Sequence, residues 1–363
     1  MNSRERFIKT IKHETPDRIP LDGWFSVPVW EELKEFKNIK DDEELRNELG
    51  IDFRMVLMEP SPDFSSKPFF LKNVGVGVGE SDYFVREAGN LVYENEWGIK
   101  MRVSKDSDNW SYAYHPLEKK FSLSNLIIPD LNIPERFIKV KEDIKKYKDN
   151  FVIFAGVSTL FRKGWLLCGF SNFLEMLLTD LASIEKLLDI LMDFTINEIK
   201  LYVNNGVDLI ELLGDLGTEL SLFLSPDLWR RIFKPRLKNI IDAFKKENVY
   251  FFLHSDGNIK DIIPDLIEAG LDILNPIQPE CMNPADIKKD FGDKIVLHGT
   301  MSMQKTFLSA NPGDVVEETR SRIEKCGNKG GLILAPSNVF TPDIPIVNID
   351  AFYNFVKNYK TNK

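Results

Sequence analysis

The sequence predicts an α/β chain folded as a (β/α)8 TIM barrel, with a β-meander inserted after the second strand. Three observations predict it. Eight short, β-rich apolar runs are spread along 363 residues. Segments with the hydrophobic period of a helix separate the later runs. The runs are nearly continuous in apolar side chains, as strands of a parallel sheet covered on both faces must be. Strand–helix alternation around eight strands is the pattern of this barrel. A doubly wound open sheet is the alternative that the same alternation admits.

The elements follow in order. Strands are expected at 19–24, 53–59, 151–157, 207–213, 249–253, 271–277, 294–298 and 331–335. Helical segments at 172–182 and 184–204 fill the gap after the third strand. Those at 225–246, 259–269, 284–291, 312–326 and 349–359 follow the later strands in turn. Ser225-Pro226-Asp227 supplies an N-cap with proline at the first helical position, and Asn283-Pro284 and Asn311-Pro312 repeat the device. Gly270 stands where a helix is expected to end.

Residues 71–118 break this rhythm, because no helix is expected there. Valine and glycine alternate at 73–78, and 83–86, 91–93 and 100–103 read as short antiparallel strands around the turn pair Gly89-Asn90. A meander inserted after the second strand would sit on the C-terminal face, where barrel enzymes build their active sites. The chain therefore reads as one barrel domain over 1–363 carrying a meander at 71–118. It shows no internal repeat and no low-complexity tract.

Composition excludes several classes of function. Lys and Arg number 47 against 56 Asp and Glu, a net charge of −9. That sign argues against a nucleic-acid binder held by phosphate contacts. Three scattered cysteines, Cys168, Cys281 and Cys326, give neither a disulfide framework nor a paired-thiolate zinc knuckle. There is no apolar run long enough to span a membrane, and the first eighteen residues are charged and polar. The expectation is a soluble, cytoplasmic protein with no membrane association. Gly75, Gly77 and Gly79 lack the strand-then-helix setting of a dinucleotide site, and neither a phosphate-binding P-loop nor a serine-hydrolase elbow occurs.

In such a barrel the polar residues at C-terminal strand ends are the catalytic candidates. They are Asp22 and Trp24, Glu59, Ser158, Glu211 with Asp215, His254 with Asp256, Gln278 with Glu280, His298, and Ser337 with Asn338. Several carboxylates in one mouth repel one another unless a cation or raised pKa values relieve them. His254 and Asp256 are two apart, so in extended backbone they share a face. They can ligate one metal or form a proton-transfer pair. The plainer alternative is a histidine bonded to loop backbone beside a capping aspartate. Glu211 lies within an apolar run, an expensive place for a charge without a partner. Asp215 follows Gly214 and equally suits a loop cap. His298 suits a satisfied core histidine as well as a ligand.

These strand ends resemble those of the uroporphyrinogen decarboxylase superfamily, which includes the cobalamin-dependent methyltransferases. The resemblance runs nearly end to end. It opens with Ser3-Arg4-Glu5-Arg6 and Pro16-Asp17-Arg18-Ile19-Pro20 and continues with Gly206-Val207-Asp208, Gly214-Asp215-Leu216-Gly217, Ser225-Pro226 and Lys234-Pro235. Then come His254-Ser255-Asp256-Gly257, Asn275-Pro276-Ile277-Gln278-Pro279, Phe291-Gly292-Asp293, and Pro342-Asp343-Ile344-Pro345 with Asn348. The resemblance implies a (β/α)8 barrel and admits a homodimer.

Within the superfamily the methyltransferases are the nearer branch. The decarboxylases hold substrate carboxylates with an arginine-rich segment after the first strand, where this chain has Gly23-Trp24-Phe25-Ser26-Val27-Pro28. They also carry a histidine where Asn338 stands. The coenzyme M methyltransferases bind zinc through a His-x-Cys pair and a second cysteine. His254 matches the histidine, Asp256 stands at the first cysteine, and Asn338 stands near the second. The resemblance thus implies zinc on His254, Asp256 and a carboxylate such as Glu211, a harder donor set suited to an oxygen substrate such as a methyl ether. His254, Asp256 and Asp215 are the expected catalytic residues, and Trp24, Ser158, Gln278 and Asn338 the substrate-binding ones. The expected function is methyl transfer between a small methyl donor or acceptor and a corrinoid. The corrinoid would arrive on a partner protein, since no Asp-x-His-x-x-Gly cobalamin motif is present. The alternatives are a carboxy-lyase acting on a carboxylated substrate, which needs no metal, and a barrel that only binds.

Overall fold

Short β-rich runs separated by long helices bury both faces of every strand when a parallel sheet curls inside a coat of helices. The computed structural model does this. It describes residues 1–65, 70–72, 83–86, 92–103, 110–308, 311–327 and 329–360. In chain order its strands are β1 (Phe53–Met55), β2 (Phe70–Lys72), β3 (Tyr83–Arg86), β4 (Val92–Glu94), β5 (Lys100–Val103), β6 (Trp110–Tyr114), β7 (Val152–Ser158), β8 (Leu209–Leu213), β9 (Tyr250–His254), β10 (Ile273–Asn275), β11 (Val296–His298) and β12 (Leu332–Ile333). β1 and β7 to β12 form one sheet in the order β1-β7-β8-β9-β10-β11-β12, and every pairing in it is parallel.

The first expected strand, 19–24, is reduced to a bridge. Leu21 pairs in parallel with Leu334. The Leu334 N–H donates to Pro20 O at 2.9 Å and the Asp22 N–H to Leu334 O at 3.0 Å. On the other side the Asp52 N–H donates to Leu21 O at 2.9 Å. Proline at 20 has no N–H to extend the ladder. The segment is nevertheless bonded to both edges of the curled sheet, which gives the molecule its TIM-barrel-like form.

Alternation sorts the side chains into an inner and an outer layer. Phe53, Val152, Phe154, Leu209, Phe252, Ile273, Val296 and Ile333 form the inner cluster, and Phe7 from the helix Ser3–Ile11 joins them. The larger outer cluster packs the strands against the helices. The expected helices stand as Phe170–Thr179, Leu181–Asn205, Pro226–Asp242, Ile263–Ala269, Pro284–Phe291, Pro312–Arg322 and Ile346–Asn358. Ser225, Asn283 and Asn311 cap theirs as expected. The helix Leu160–Cys168 was not expected.

A four-residue element recurs at three helix-to-strand junctions. Gly50-Ile51-Asp52-Phe53, Gly206-Val207-Asp208-Leu209 and Gly270-Leu271-Asp272-Ile273 share one pattern. Each glycine ends a helix in the left-handed region. Each aspartate accepts an N–H from the neighbouring strand segment: Leu21 at 2.8 Å, Ile153 at 3.0 Å and Phe251 at 2.8 Å. A four-residue unit recurring at uneven intervals has no fixed period by which to detect it.

β2 to β6 pair antiparallel in chain order and form a second sheet. The runs expected at 83–86 and 100–103 are strands of it. The turn pair Gly89-Asn90 and the glycines of 73–78 lie outside the described residues. Among the described residues no helix is long and apolar enough to cross a membrane.

Candidate active site

The inner layer changes character toward the C-terminal ends of the strands. Leu209 and Phe252 belong to the apolar interior, so Glu211 and His254, two residues further along β8 and β9, point the same way. Register places Leu213 beside His254 and His254 beside Asn275. Asn275 and His298 follow inner residues Ile273 and Val296 by the same step.

Three hydrogen bonds join these residues into a chain. His254 Nδ1 lies 2.6 Å from Asn275 Oδ1. Asn275 Nδ2 lies 2.8 Å from His298 Nδ1. His298 Nε2 lies 3.1 Å from Asp22 Oδ2. Asn275 and His298 are fully buried. Trp24 overhangs the chain, its ring centroid 6.3 Å from His254 and 5.4 Å from His298.

At the open end, one ligand atom each from Asp215, His254 and Asp256 lies within 4.8 Å of the others. The Asp256 N–H donates to Asp215 Oδ1 at 2.9 Å. Asn338 Nδ2 donates to Asp256 Oδ2 at 2.6 Å. Gln278 Oε1 accepts the Gly257 N–H at 3.1 Å. Gly257 has φ +89°, and a Cβ there would stand 2.5 Å from Thr218 O, so glycine is required to turn the chain away after Asp256.

Burial and mutual repulsion dominate the electrostatics of the mouth acids. Burial pushes the Asp256 carboxyl up to about 6, against the pull of His254, and the charge of Asp215 adds to the rise. Burial likewise lifts Glu211 to about 7, with the charge of Asp22 adding to the rise and His254 and Arg162 opposing it. Among the described residues no lysine or arginine forms an ion pair with Asp215, Asp256 or Glu211.

The structure thus brings His254, Asp256 and Asp215 together, with Asn338 holding one carboxylate and Gln278 holding the loop. Glu211 stands outside that cluster, buried, with Oε1 unpartnered among the described residues. Ser158 ends β7 with its Oγ buried and also unpartnered among the described residues. Asp22 and His298 are strand-end polar residues that the sequence displays. Asn275 was singled out only as part of a motif. Its signal is a lone amide between Leu274 and Pro276, in a strand whose inner neighbours carry histidines.

The comparisons give the family and the fold. The family model for uroporphyrinogen decarboxylase (URO-D) matches residues 145–359. A uroporphyrinogen decarboxylase of Actinobacillus succinogenes is 22% identical over 256 residues, 67% of this chain and 71% of that protein. The methylcobamide:CoM methyltransferase MtbA of Methanosarcina acetivorans is 24% identical over 176 residues, 48% of this chain. That match spans about half, 49%, of the methyltransferase. Among solved structures, a methyltransferase from Methanosarcina mazei superposes with a TM-score of 0.70 at 19% identity, covering 98% of both chains. The family match takes in most of the parallel sheet and the residues of the mouth from Ser158 to Asn338, and the chain belongs to the uroporphyrinogen decarboxylase (URO-D) family.

Proposed function

We propose that the chain is a methyltransferase that moves a methyl group between a small substrate and a corrinoid carried by a partner protein. The observation that carries the reading is the cluster of Asp215, His254 and Asp256, one nitrogen and two carboxylate donors with no lysine or arginine ion-paired to them among the described residues. Such a set fits a divalent ion such as zinc. His254 and Asp256 are the ligands expected from the sequence, and proximity favours Asp215 over Glu211 as the third. The ion would supply Lewis acidity toward a substrate heteroatom.

The chain's own residues do the rest. Asn338 holds Asp256 in place, and Gln278 fixes the turn that follows it. Trp24 offers a flat wall beside His254 against which a small substrate can lie. Glu211 and Ser158, with unpartnered oxygens, give its polar groups hydrogen-bonding partners. The antiparallel sheet β2 to β6 is read as an insertion on the C-terminal face, forming a rim for the corrinoid protein.

A second reading draws on the decarboxylase alignment, which covers more of the chain than the methyltransferase one. In that reading Asp256, with a pKa near 6, supplies a proton to the carbon that loses carbon dioxide.

Metal analysis and methyl transfer to or from free cobalamin, on wild type and His254→Ala, test the proposal. About one zinc per chain and measurable transfer, both lost in the variant, are expected. A wild type that takes up no metal when zinc is supplied, or that releases carbon dioxide from uroporphyrinogen, would overturn it.

A further inference from the structure

We infer that Asn275, His298 and Asp22 are positioning residues that fix His254 in one tautomer, with hydrogen on Nδ1 and a bare lone pair on Nε2. The inference deepens the proposed function and rests on it for the role of His254. It follows from the order of donors and acceptors along the chain of three hydrogen bonds.

A carboxylate only accepts, so the hydrogen between Asp22 and His298 sits on His298 Nε2. The amide nitrogen of Asn275 only donates, so His298 Nδ1 must be bare to receive it, and the ring is neutral. The amide oxygen only accepts, so His254 Nδ1 must carry hydrogen. Each partner dictates the next, and His254 Nε2 is the nitrogen left for the cluster with Asp215 and Asp256. A carboxylate or amide behind a ligating histidine sets both its tautomer and its ring orientation.

The surroundings maintain this order. Asn275 and His298 are sealed from water, so no solvent molecule can replace a lost partner. The Phe252 ring centroid lies 5.0 Å from that of His298. Gly299 has φ +66°, and a Cβ there would lie 2.4 Å from Asn275 Nδ2, so the amide sits in space that only glycine leaves open. Reversing the amide would invert the outcome. His298 would have to carry hydrogen on both nitrogens, and His254 would receive a hydrogen bond at Nδ1 and carry its own hydrogen on Nε2, unable to ligate.

Histidine-15N spectra of the metal-free chain read the tautomers directly. The expected result is His254 protonated at Nδ1 and His298 at Nε2 alone. A His254 protonated at Nε2, or a doubly protonated His298, overturns the inference. Cobalt(II) titrations of Asn275→Leu and Asn275→Asp add a second readout, with thermal midpoints taken alongside. Asn275→Leu should mix the His254 tautomers and weaken cobalt binding by about 10- to 100-fold. Asn275→Asp keeps an acceptor for the His254 Nδ1–H and should keep that tautomer and the affinity, while His298, now facing a carboxylate at each nitrogen, takes a hydrogen on both. Equal loss in the two variants would mean that Asn275 is only structural and would overturn the assignment. If Asn275→Leu does not fold, the wild-type spectrum still decides. A wild type that shows the expected tautomers but binds no cobalt would sink the metal reading and leave the positioning role standing.

Discussion

The two ends of the barrel carry similar acids in opposite circumstances. At the N-terminal end Asp52 lies between Arg6, at 2.7 Å, and Arg18, at 2.9 Å, and Asp208 pairs with Arg4 at 2.6 Å. Each also accepts a backbone N–H from a neighbouring strand segment. At the C-terminal end Asp215, Asp256 and Glu211 form no ion pair with lysine or arginine among the described residues, and Arg162 acts on Glu211 only from a distance. An unpaired acid in a buried setting, as Glu211 is, costs stability. Paired ones close the bottom of the fold, and unpaired ones are tolerated where a ligand can supply the missing charge. The difference separates acids that hold the barrel together from acids available for chemistry.

The strongest way to break that division is to remove an acid from each end. Asp52→Ala leaves two guanidinium groups facing a buried void and removes the acceptor of four hydrogen bonds, from Arg6, twice from Arg18 and from the Leu21 N–H. It should destabilise the chain by about 3–5 kcal/mol in a urea titration, while metal bound per folded molecule stays at the wild-type level. Asp215→Ala should do the reverse. It removes an exposed side chain, so stability of the metal-free chain should move by no more than about 0.5 kcal/mol. Metal affinity should fall by about tenfold or more. An Asp215→Ala variant as unstable as Asp52→Ala would show that the mouth acids are structural after all.

The same contrast explains what the sequence displays and what it hides. The barrel is legible because strand and helix periods are local, and Ser225, Asn283 and Asn311 announce their helices with a proline at the next position. His254 and Asp256 are legible because they are two apart on one strand end. Asp22, Asn275 and His298 come from three distant segments, and only the closure of the sheet through Leu21 brings Asp22 beside His298. That Asp215 rather than Glu211 stands beside His254 and Asp256 is likewise a matter of depth. Glu211 lies one inward step below the mouth, and a sequence shows which strand a residue belongs to more readily than how high it stands. The Gly-apolar-Asp-apolar unit was visible in three places, but its meaning is a bond to the neighbouring strand, which no single segment contains.

The third of those aspartates gives the smallest effect and the finest test. Asp272 accepts the Phe251 N–H like its counterparts but has no basic partner among the described residues. Burial outweighs the hydrogen bond and lifts its carboxyl from 3.8 to about 6; burial raises Asp208 too, against the pull of Arg4. A folded-state pKa raised above the unfolded one means that the folded chain binds the proton more tightly. The stabilisation is fully present below about pH 4 and is lost as pH rises through about 6. Asp272→Asn keeps an oxygen for the Phe251 N–H and removes the titration. It should be more stable than wild type at pH 7, by on the order of 1 kcal/mol, with the advantage disappearing toward pH 4. If the two chains instead keep a constant difference across that range, the carboxylate at 272 is not paying for its burial, and an arginine is not what makes the acids of this end tolerable. The division between the two ends would then rest on backbone hydrogen bonds alone, which Asp215 also enjoys through the Asp256 N–H, and the unpaired charge would lose its value as a marker of the site.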